Sequence, residues 1–276
     1  MKKLRWYAKT YIGFILAFFY LPIVVMIVYS FNESKSRSYF TGFTLDWYRQ
    51  LFTNELIIRS FWNTLIVAIV SSVVATIIGT AAAIGLANMK KWVKSTMLTF
   101  TYLPIINPEI VTGVSLMLLF VWMRQVAFPN LEFGFTTLIL AHITFNIPYV
   151  ILNVSPKLRQ MDKNIYEAAL DLGCNEWQAF IKVVVPDIMP GIVAGFLTSI
   201  TMSLDDFIIS YFVSGPKSQT LPITIFAMTR RKVSPEVNAI STIIFVIVLA
   251  VLLAVNFSDA RKEKNQQRRI GGQSRA

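Results

Sequence analysis

Residues 162–187 read Asp162-Lys163-Asn164-Ile165-Tyr166-Glu167-Ala168-Ala169-Leu170-Asp171-Leu172-Gly173-Cys174-Asn175-Glu176-Trp177-Gln178-Ala179-Phe180-Ile181-Lys182-Val183-Val184-Val185-Pro186-Asp187. This is a polar interruption in a mostly apolar chain. Lys157, Arg159, Asp162, Lys163, Glu167, Asp171, Glu176, Lys182 and Asp187 fall in or beside it, so it lies outside lipid. It is also ordered in its pattern. Asp162 is placed to cap a short helix whose apolar residues Ile165, Ala168, Ala169 and Leu172 recur at helical spacing. Gly173 ends that helix, because glycine takes the left-handed C-terminal position at little cost. Asn175 and Gln178 form the sequence signature of a capping box for a second helix, with Trp177, Phe180, Ile181 and Val184 on one side. Pro186 is expected to stop it. A helix–glycine–helix hairpin between membrane spans is a docking element for another protein.

The rest of the chain sets the hairpin in a membrane. Of its 276 residues 55% are hydrophobic, and the mean hydropathy is +0.57, which predicts an all-α polytopic membrane protein rather than a soluble one. Six stretches, near 11–31, 61–88, 97–121, 133–155, 188–213 and 238–257, are long enough to cross a bilayer, which takes about 20 residues. The first follows Lys2, Lys3, Arg5 and Lys9, but its apolar run is longer than that of a signal peptide and no small-residue cleavage site follows, so it reads as a retained span. The expected organisation is a basic N-terminus and first span (1–31), an external loop (32–60), a core of spans two to six (61–257) holding the hairpin at 157–187, and a basic tail (258–276). Aromatic residues Tyr39, Phe40, Phe43, Trp47 and Tyr48 suit the external loop to lying flat on the outer leaflet.

The net charge of +11 is not a nucleic-acid footprint, because its distribution follows the positive-inside rule. With the N-terminus inside, 17 of the 26 basic residues are cytoplasmic, and both termini are expected there. Arg230, Arg231 and Lys232 go against the rule and suit a solvated loop touching a partner. Cys174 is the single cysteine, which excludes an intrachain disulfide and reads as a bystander thiol.

Within the spans, Ala75, Gly79 and Ala83 make a small-residue stripe that lets helices approach closely. Pro104 and Pro108 predict a break lining a cavity, and Pro148 a further kink. The charges inside the predicted spans are acidic, at Glu109, Asp205 and Asp206, with no lysine or arginine among them. Unpaired carboxylates and no cations suit a cavity for a cationic substrate. Phe207, Tyr211, Trp122 and Tyr149 are candidate aromatic walls for ammonium groups. The competing reading is that Asp205 and Asp206 bond to backbone or to a partner subunit and only hold the bundle. Adjacent helical residues point about 100° apart, so only one of the two is expected to face a pathway. His142, the single histidine, reads as a packed or hydrogen-bonded side chain rather than a proton relay.

Glu167-Ala168-Ala169, with Gly173 and Pro186 at their spacing, resembles the signature of permease subunits of binding-protein-dependent ABC importers, which have a MetI-like transmembrane domain. Val183 and Val185 stand where the pattern prefers isoleucine and leucine, a departure that keeps the apolar face. The resemblance extends to Tyr20-Leu21-Pro22-Ile23, Ser30-Phe31-Asn32, Asn107-Pro108-Glu109-Ile110-Val111, His142-Ile143-Thr144-Phe145, Met202-Ser203-Leu204-Asp205-Asp206, Ser214-Gly215-Pro216 and Ser234-Pro235-Glu236-Val237-Asn238-Ala239, and is greatest to the second permease of spermidine/putrescine importers. It implies a bacterial inner-membrane protein working with a second homologous permease, an ATPase dimer that binds ATP and magnesium, and an extracytoplasmic polyamine-binding protein. It also implies that Glu167, Ala168, Ala169, Asp171, Gly173 and Pro186 couple the spans to the ATPase, the alanines leaving room for close approach.

No Gly-x-x-x-x-Gly-Lys-Ser/Thr phosphate loop is present, so energy is expected from another subunit, and the chain is read as a non-catalytic component without a cofactor or metal of its own. No His-Glu-x-x-His or Gly-x-Ser-x-Gly motif supports a hydrolase. Two other readings stand beside polyamine import. One is the same machine carrying ferric iron, thiamine or an oxyanion. The other is a proton-driven secondary transporter with Asp205 or Asp206 as relay, which leaves the hairpin unexplained.

Overall fold

A computed structural model describes residues 6–34, 39–231, 235–246 and 249. Lys2, Lys3, Arg5, Lys35, Arg37, Lys232 and the basic tail 258–276 lie outside them, as does the end of the sixth predicted span. Helix α1 covers Trp6–Ser30, α2 Asp46–Leu51, α3 Glu55–Ala87, α4 Lys91–Ile106, α5 Glu109–Val126 and α6 Phe135–Gln160. Then come α7 (Lys163–Asp171), α8 (Glu176–Ala179), a π-helical segment (Phe180–Val184), α9 (Val185–Asp205), α10 (Ile208–Val213) and α11 (Leu221–Arg231). Helix α12, Pro235–Val246, occupies the described start of the sixth predicted span. No strand of a sheet occurs among the described residues. Five helical stretches are long and apolar enough to cross a membrane: Lys9–Ser30, Glu55–Ala87, Glu109–Val126, Phe135–Gln160 and Glu176–Asp205. The protein is a multi-pass membrane protein.

The chain divides into two compact units, Met1–Glu55 with Ala227–Ala276, and Leu56–Phe226. In the first, Asn32 organises the loop after α1. Its Oδ1 accepts from the Thr41 N–H at 2.9 Å, its Nδ2 donates to the Tyr39 carbonyl at 3.0 Å, and its own carbonyl accepts from Trp47 Nε1 at 2.7 Å. Trp47 is buried, and the Tyr48 hydroxyl lies 2.7 Å from Ser30 Oγ. The sequence reading placed all five loop aromatics on a lipid surface. Tyr39, Phe40 and Phe43 are exposed, whereas Trp47 and Tyr48 are folded back onto the loop, where their polar atoms find partners.

The second unit is held by two apolar clusters. Val67, Leu116, Phe120, Leu138, Ala141, Phe145, Ile209 and Val213 join α3, α5, α6 and α10. Ala83, Leu86, Val150, Ile151, Val154, Val184 and Ile188 join α3, α6, the π segment and α9. Between them Ala75, Gly79 and Ala83 are buried as a stripe, and a Cβ at Gly79 would lie 2.7 Å from Val150 Cβ. Three hydrogen bonds tie polar groups of this interior across helices, where lipid gives them no partners. Ser60 Oγ and Thr224 Oγ1 lie 2.6 Å apart, the Leu221 N–H donates to Thr64 Oγ1 at 2.7 Å, and Asn146 Nδ2 donates to Ser203 Oγ at 2.8 Å.

The break expected in the third predicted span falls at Pro108, where Asn107 takes an extended conformation as a residue preceding proline prefers, and not at Pro104, which lies inside α4. Two expectations change. The helix after Asn175 does not stop at Pro186. The path from Glu176 to Asp205 is continuous, and the π turn at Phe180–Val184, with the Val185 N–H bonded to the Phe180 carbonyl, admits the proline in the first turn of α9. Arg59, Arg124, Lys157, Arg159 and Lys182 lie inside helices that run past the ends of the predicted spans. Gly79→Leu is expected to lower the melting temperature of the detergent-solubilised protein, at a cost of about 1–3 kcal/mol from overpacking; an unchanged melting temperature would contradict the close α3–α6 approach.

Candidate functional site

Two breaks in helices meet at one cavity. At Asn107-Pro108 the chain turns from α4 into α5, which starts with Glu109 in its first turn, where a carboxylate suits the positive end of the helix. At Asp206 (φ −62°, ψ 121°) the fifth span opens between α9 and α10. Asp206 closes this second break. Its Oδ1 accepts from the Ile209 N–H at 3.2 Å, and its Oδ2 accepts from the Ser210 N–H at 2.7 Å and the Ser210 hydroxyl at 2.6 Å. His142 Nε2 lies 3.0 Å from Ser210 Oγ and 3.5 Å from Asp206 Oδ2. The histidine is fully buried with its ring 5.2 Å from that of Phe145.

The cavity has a volume of about 340 Å³ and is lined by Pro104, Glu109, Thr112, Phe145, Tyr149, Met202, Asp205, Asp206 and Ile209. All three carboxylates expected in the spans therefore share one space. The sequence reading counted each of them as unpaired. Asp206 is instead 7% exposed and bonded to backbone, hydroxyl and imidazole, while Asp205 is open to the cavity. Phe207 and Tyr211 do not line it. Their rings are 5.6 Å apart, and Phe207 also packs 4.5 Å from Phe226. With Asp206 extended, successive side chains point opposite ways, so the turn that brings Asp206 inward carries Phe207 out. Trp122 is exposed and also absent from the lining. The aromatic wall is Tyr149 and Phe145, one turn apart on α6. Phe145 was missed because helical spacing places it equally well in a core.

The hairpin follows its capping residues. Asp162 Oδ1 accepts from the Asn164 N–H at 3.0 Å. At the other end of α7, Gly173 has φ +87°, its N–H bonds to the Leu170 carbonyl, and the Cys174 N–H bonds to the Ala169 carbonyl. This is the paired closure that a left-handed glycine provides. The Gln178 N–H donates to Asn175 Oδ1 at 2.8 Å, and the Asn175 N–H to Gln178 Oε1 at 3.2 Å. Glu167, Ala168, Asp171 and Pro186 are exposed, whereas Ala169 is buried. Ala169 therefore fills the inside of the hairpin rather than offering room to a partner. Leu172 is 86% exposed and Trp177 69%, with Ile165 and Ile181 half open beside them. The hairpin thus carries an uncovered apolar patch.

Comparison with known proteins gives the family. The chain belongs to the family of inner membrane components of binding-protein-dependent transport systems, whose model matches residues 75–265. It is 37% identical over 254 residues to the putrescine transport system permease protein PotI of Escherichia coli (strain K12), covering 92% of this chain and 90% of that one. To the spermidine/putrescine transport system permease protein PotC of the same organism it is 36% identical over 240 residues, covering 87% and 89%. The crystal structure of a bacterial ABC transporter involved in the import of the acidic polysaccharide alginate has the same fold, with a TM-score of 0.69 at 15% identity over 90% of this chain and 93% of that chain.

Gly173 supplies the sharpest test of the hairpin. An added Cβ there meets no neighbouring atom, so the whole cost is backbone conformation, about 1–2 kcal/mol for a left-handed residue other than glycine. Gly173→Ala is expected to reach the membrane in normal amount and to lose transport, and Gly173→Asn, which tolerates this conformation better, to keep more of it; equal transport in the two variants would contradict the reading.

Proposed function

We propose that this chain is one permease of an ATP-driven importer for polyamines, spermidine and/or putrescine. The observation that carries the proposal is the cavity at the two helix breaks, where Glu109, Asp205 and Asp206 gather beside Tyr149 and no lysine or arginine lines the wall. A cavity of one charge sign concentrates ions of the opposite sign. Carboxylates accept hydrogen bonds from ammonium groups, and aromatic faces attract them. An oxyanion would find no donor of positive charge here. The relatives named as putrescine and spermidine/putrescine permeases support the same cargo.

In this reading the two breaks place half-helices against the substrate, as in other transporters whose sites sit where helices are interrupted. Asp205 meets the cargo, and Asp206 holds the break in shape. The uncovered hairpin surface around Leu172 and Trp177, with Glu167, Asp171 and Gly173, docks on an ATPase dimer that binds ATP and magnesium. A second permease completes the pathway, and an extracytoplasmic polyamine-binding protein delivers the cargo. Both termini and the hairpin lie on the cytoplasmic side, in keeping with the basic residues at Lys90, Lys91, Lys94, Lys157 and Arg159. ATP binding closes the ATPase, the hairpin carries that motion to α9, and the cavity opens in turn to each side.

The test is uptake of labelled spermidine and putrescine in polyamine-depleted cells lacking other importers. Deleting this chain is expected to abolish uptake; full uptake without it would overturn the cargo. Asp205→Asn is expected to lower uptake about tenfold, the worth of one charge-assisted contact of about 1.4 kcal/mol, with normal protein in the membrane. Asp206→Ala is expected to act differently, lowering the melting temperature through the unpaired N–H groups of Ile209 and Ser210, each costing about 1–3 kcal/mol. Identical effects of the two variants on stability would remove the division of roles.

A further inference from the structure

A second cavity, of about 610 Å³, lies where the hairpin meets the ends of α3 and α6. Leu86, Leu98, Phe180 and Val184 are among its lining residues, and of its charged side chains Lys94 and Arg159 are basic and Glu167 is acidic, which leaves the wall net positive. Among the described residues neither cation forms a side-chain hydrogen bond or ion pair. Two long apolar helices end here, which places the cavity at the level where a bilayer gives way to water. Trp92, 81% exposed beside Lys90 and Lys91, has the aromatic and basic character of that boundary.

We infer that this cavity holds a phospholipid, with the headgroup phosphate on Lys94 and Arg159 and an acyl chain along Leu98, Phe180 and Val184. Unpaired cations over an apolar pocket between spans match a phosphate joined to hydrocarbon, and they match neither a free polar solute nor a wholly apolar one. A volume of 610 Å³ falls within the size range of ligand sites. Phe180 and Val184 belong to the π segment, and Tyr166 and Glu167 of α7 share the lining, so a lipid here braces the hairpin against the spans. Its bearing on coupling rests on the hairpin being the ATPase-docking element, but its binding does not.

The experiment uses the full chain in bilayer nanodiscs with a phosphatidylglycerol that carries a diazirine on one acyl chain, and maps the cross-links by peptide mass spectrometry. Labelling is expected to concentrate on Leu98 and the Phe180–Val184 segment. It is expected to fall roughly tenfold for each lost charge-assisted contact in the Lys94→Gln/Arg159→Gln variant, with elution on size exclusion unchanged. Ala87→Phe, which leaves both charges in place and fills the cavity, is expected to reduce it too. Diazirine-bearing diacylglycerol, which lacks the phosphate, is expected to label these residues weakly. Even labelling along α3 and α6, retention in either variant, or equal labelling by diacylglycerol would overturn the site. So would displacement by inorganic phosphate alone, which would make it an anion site, or by the ATPase subunit, which would make it a protein contact. Because labelling needs no transport, failure of this site and failure of the importer reading are separable.

Discussion

The carboxylate of Asp206 is the contact on which the cavity between the two helix breaks depends. A helix broken inside a membrane exposes backbone N–H groups that lipid cannot satisfy, at a cost of several kcal/mol each. Asp206 accepts two of them, from Ile209 and Ser210, together with the Ser210 hydroxyl, and His142 completes the arrangement from α6. The fifth span is thereby interrupted and still held in place. Without that arrangement, the end of α9 has no reason to stop at Asp205, and Asp205 has no reason to open into the space beside Glu109.

Adjacent aspartates in one sequence thus have separate tasks, set by surroundings rather than by chemistry. Asp206 spends its oxygens on the protein, and Asp205 keeps its own for the cavity. The second break, at Asn107-Pro108, works by another means: proline disfavours the helical conformation of the residue before it, Asn107 is extended, and Glu109 begins the next helix. A carboxylate and a proline achieve the same interruption by different means, one by supplying an acceptor and one by crowding the residue before it. The cavity lies where the two interruptions face each other across Phe145 and Tyr149 of α6.

Much of this was legible in the sequence, because capping and patterning are local. Asp162, Gly173, Asn175 and Gln178 each announce a helix end through their own side chain or backbone freedom, and each is found at that end. The small-residue stripe of α3 and the acidic residues of the spans were equally readable. What failed were statements about direction. Phe207 and Tyr211 lie close in sequence to Asp205 and Asp206 but do not line the cavity with them, since one extended residue reverses the side on which its successor points. Asp206 looked unpaired because its partners Ser210 and His142 are a broken helix and another span distant. Pro186 reads as a stop by the ordinary rule, and only the wider turn ahead of it lets the helix pass. The loop aromatics Trp47 and Tyr48 carry no local mark of the hydrogen bonds that bury them.

That wider turn has a mechanical meaning. From Glu176 to Asp205 the backbone is one helical rod, about 45 Å long at 1.5 Å per residue, with the exposed Trp177 near one end and the open carboxylate of Asp205 at the other. The π segment holds one residue more than an α-helix would over the same rise, so it sets the angular phase between the two ends: a residue's worth of winding is about 100° of rotation. The rod therefore acts as an indexed shaft. Its length is fixed by hydrogen bonds, and its phase by a single extra residue placed just before the first proline.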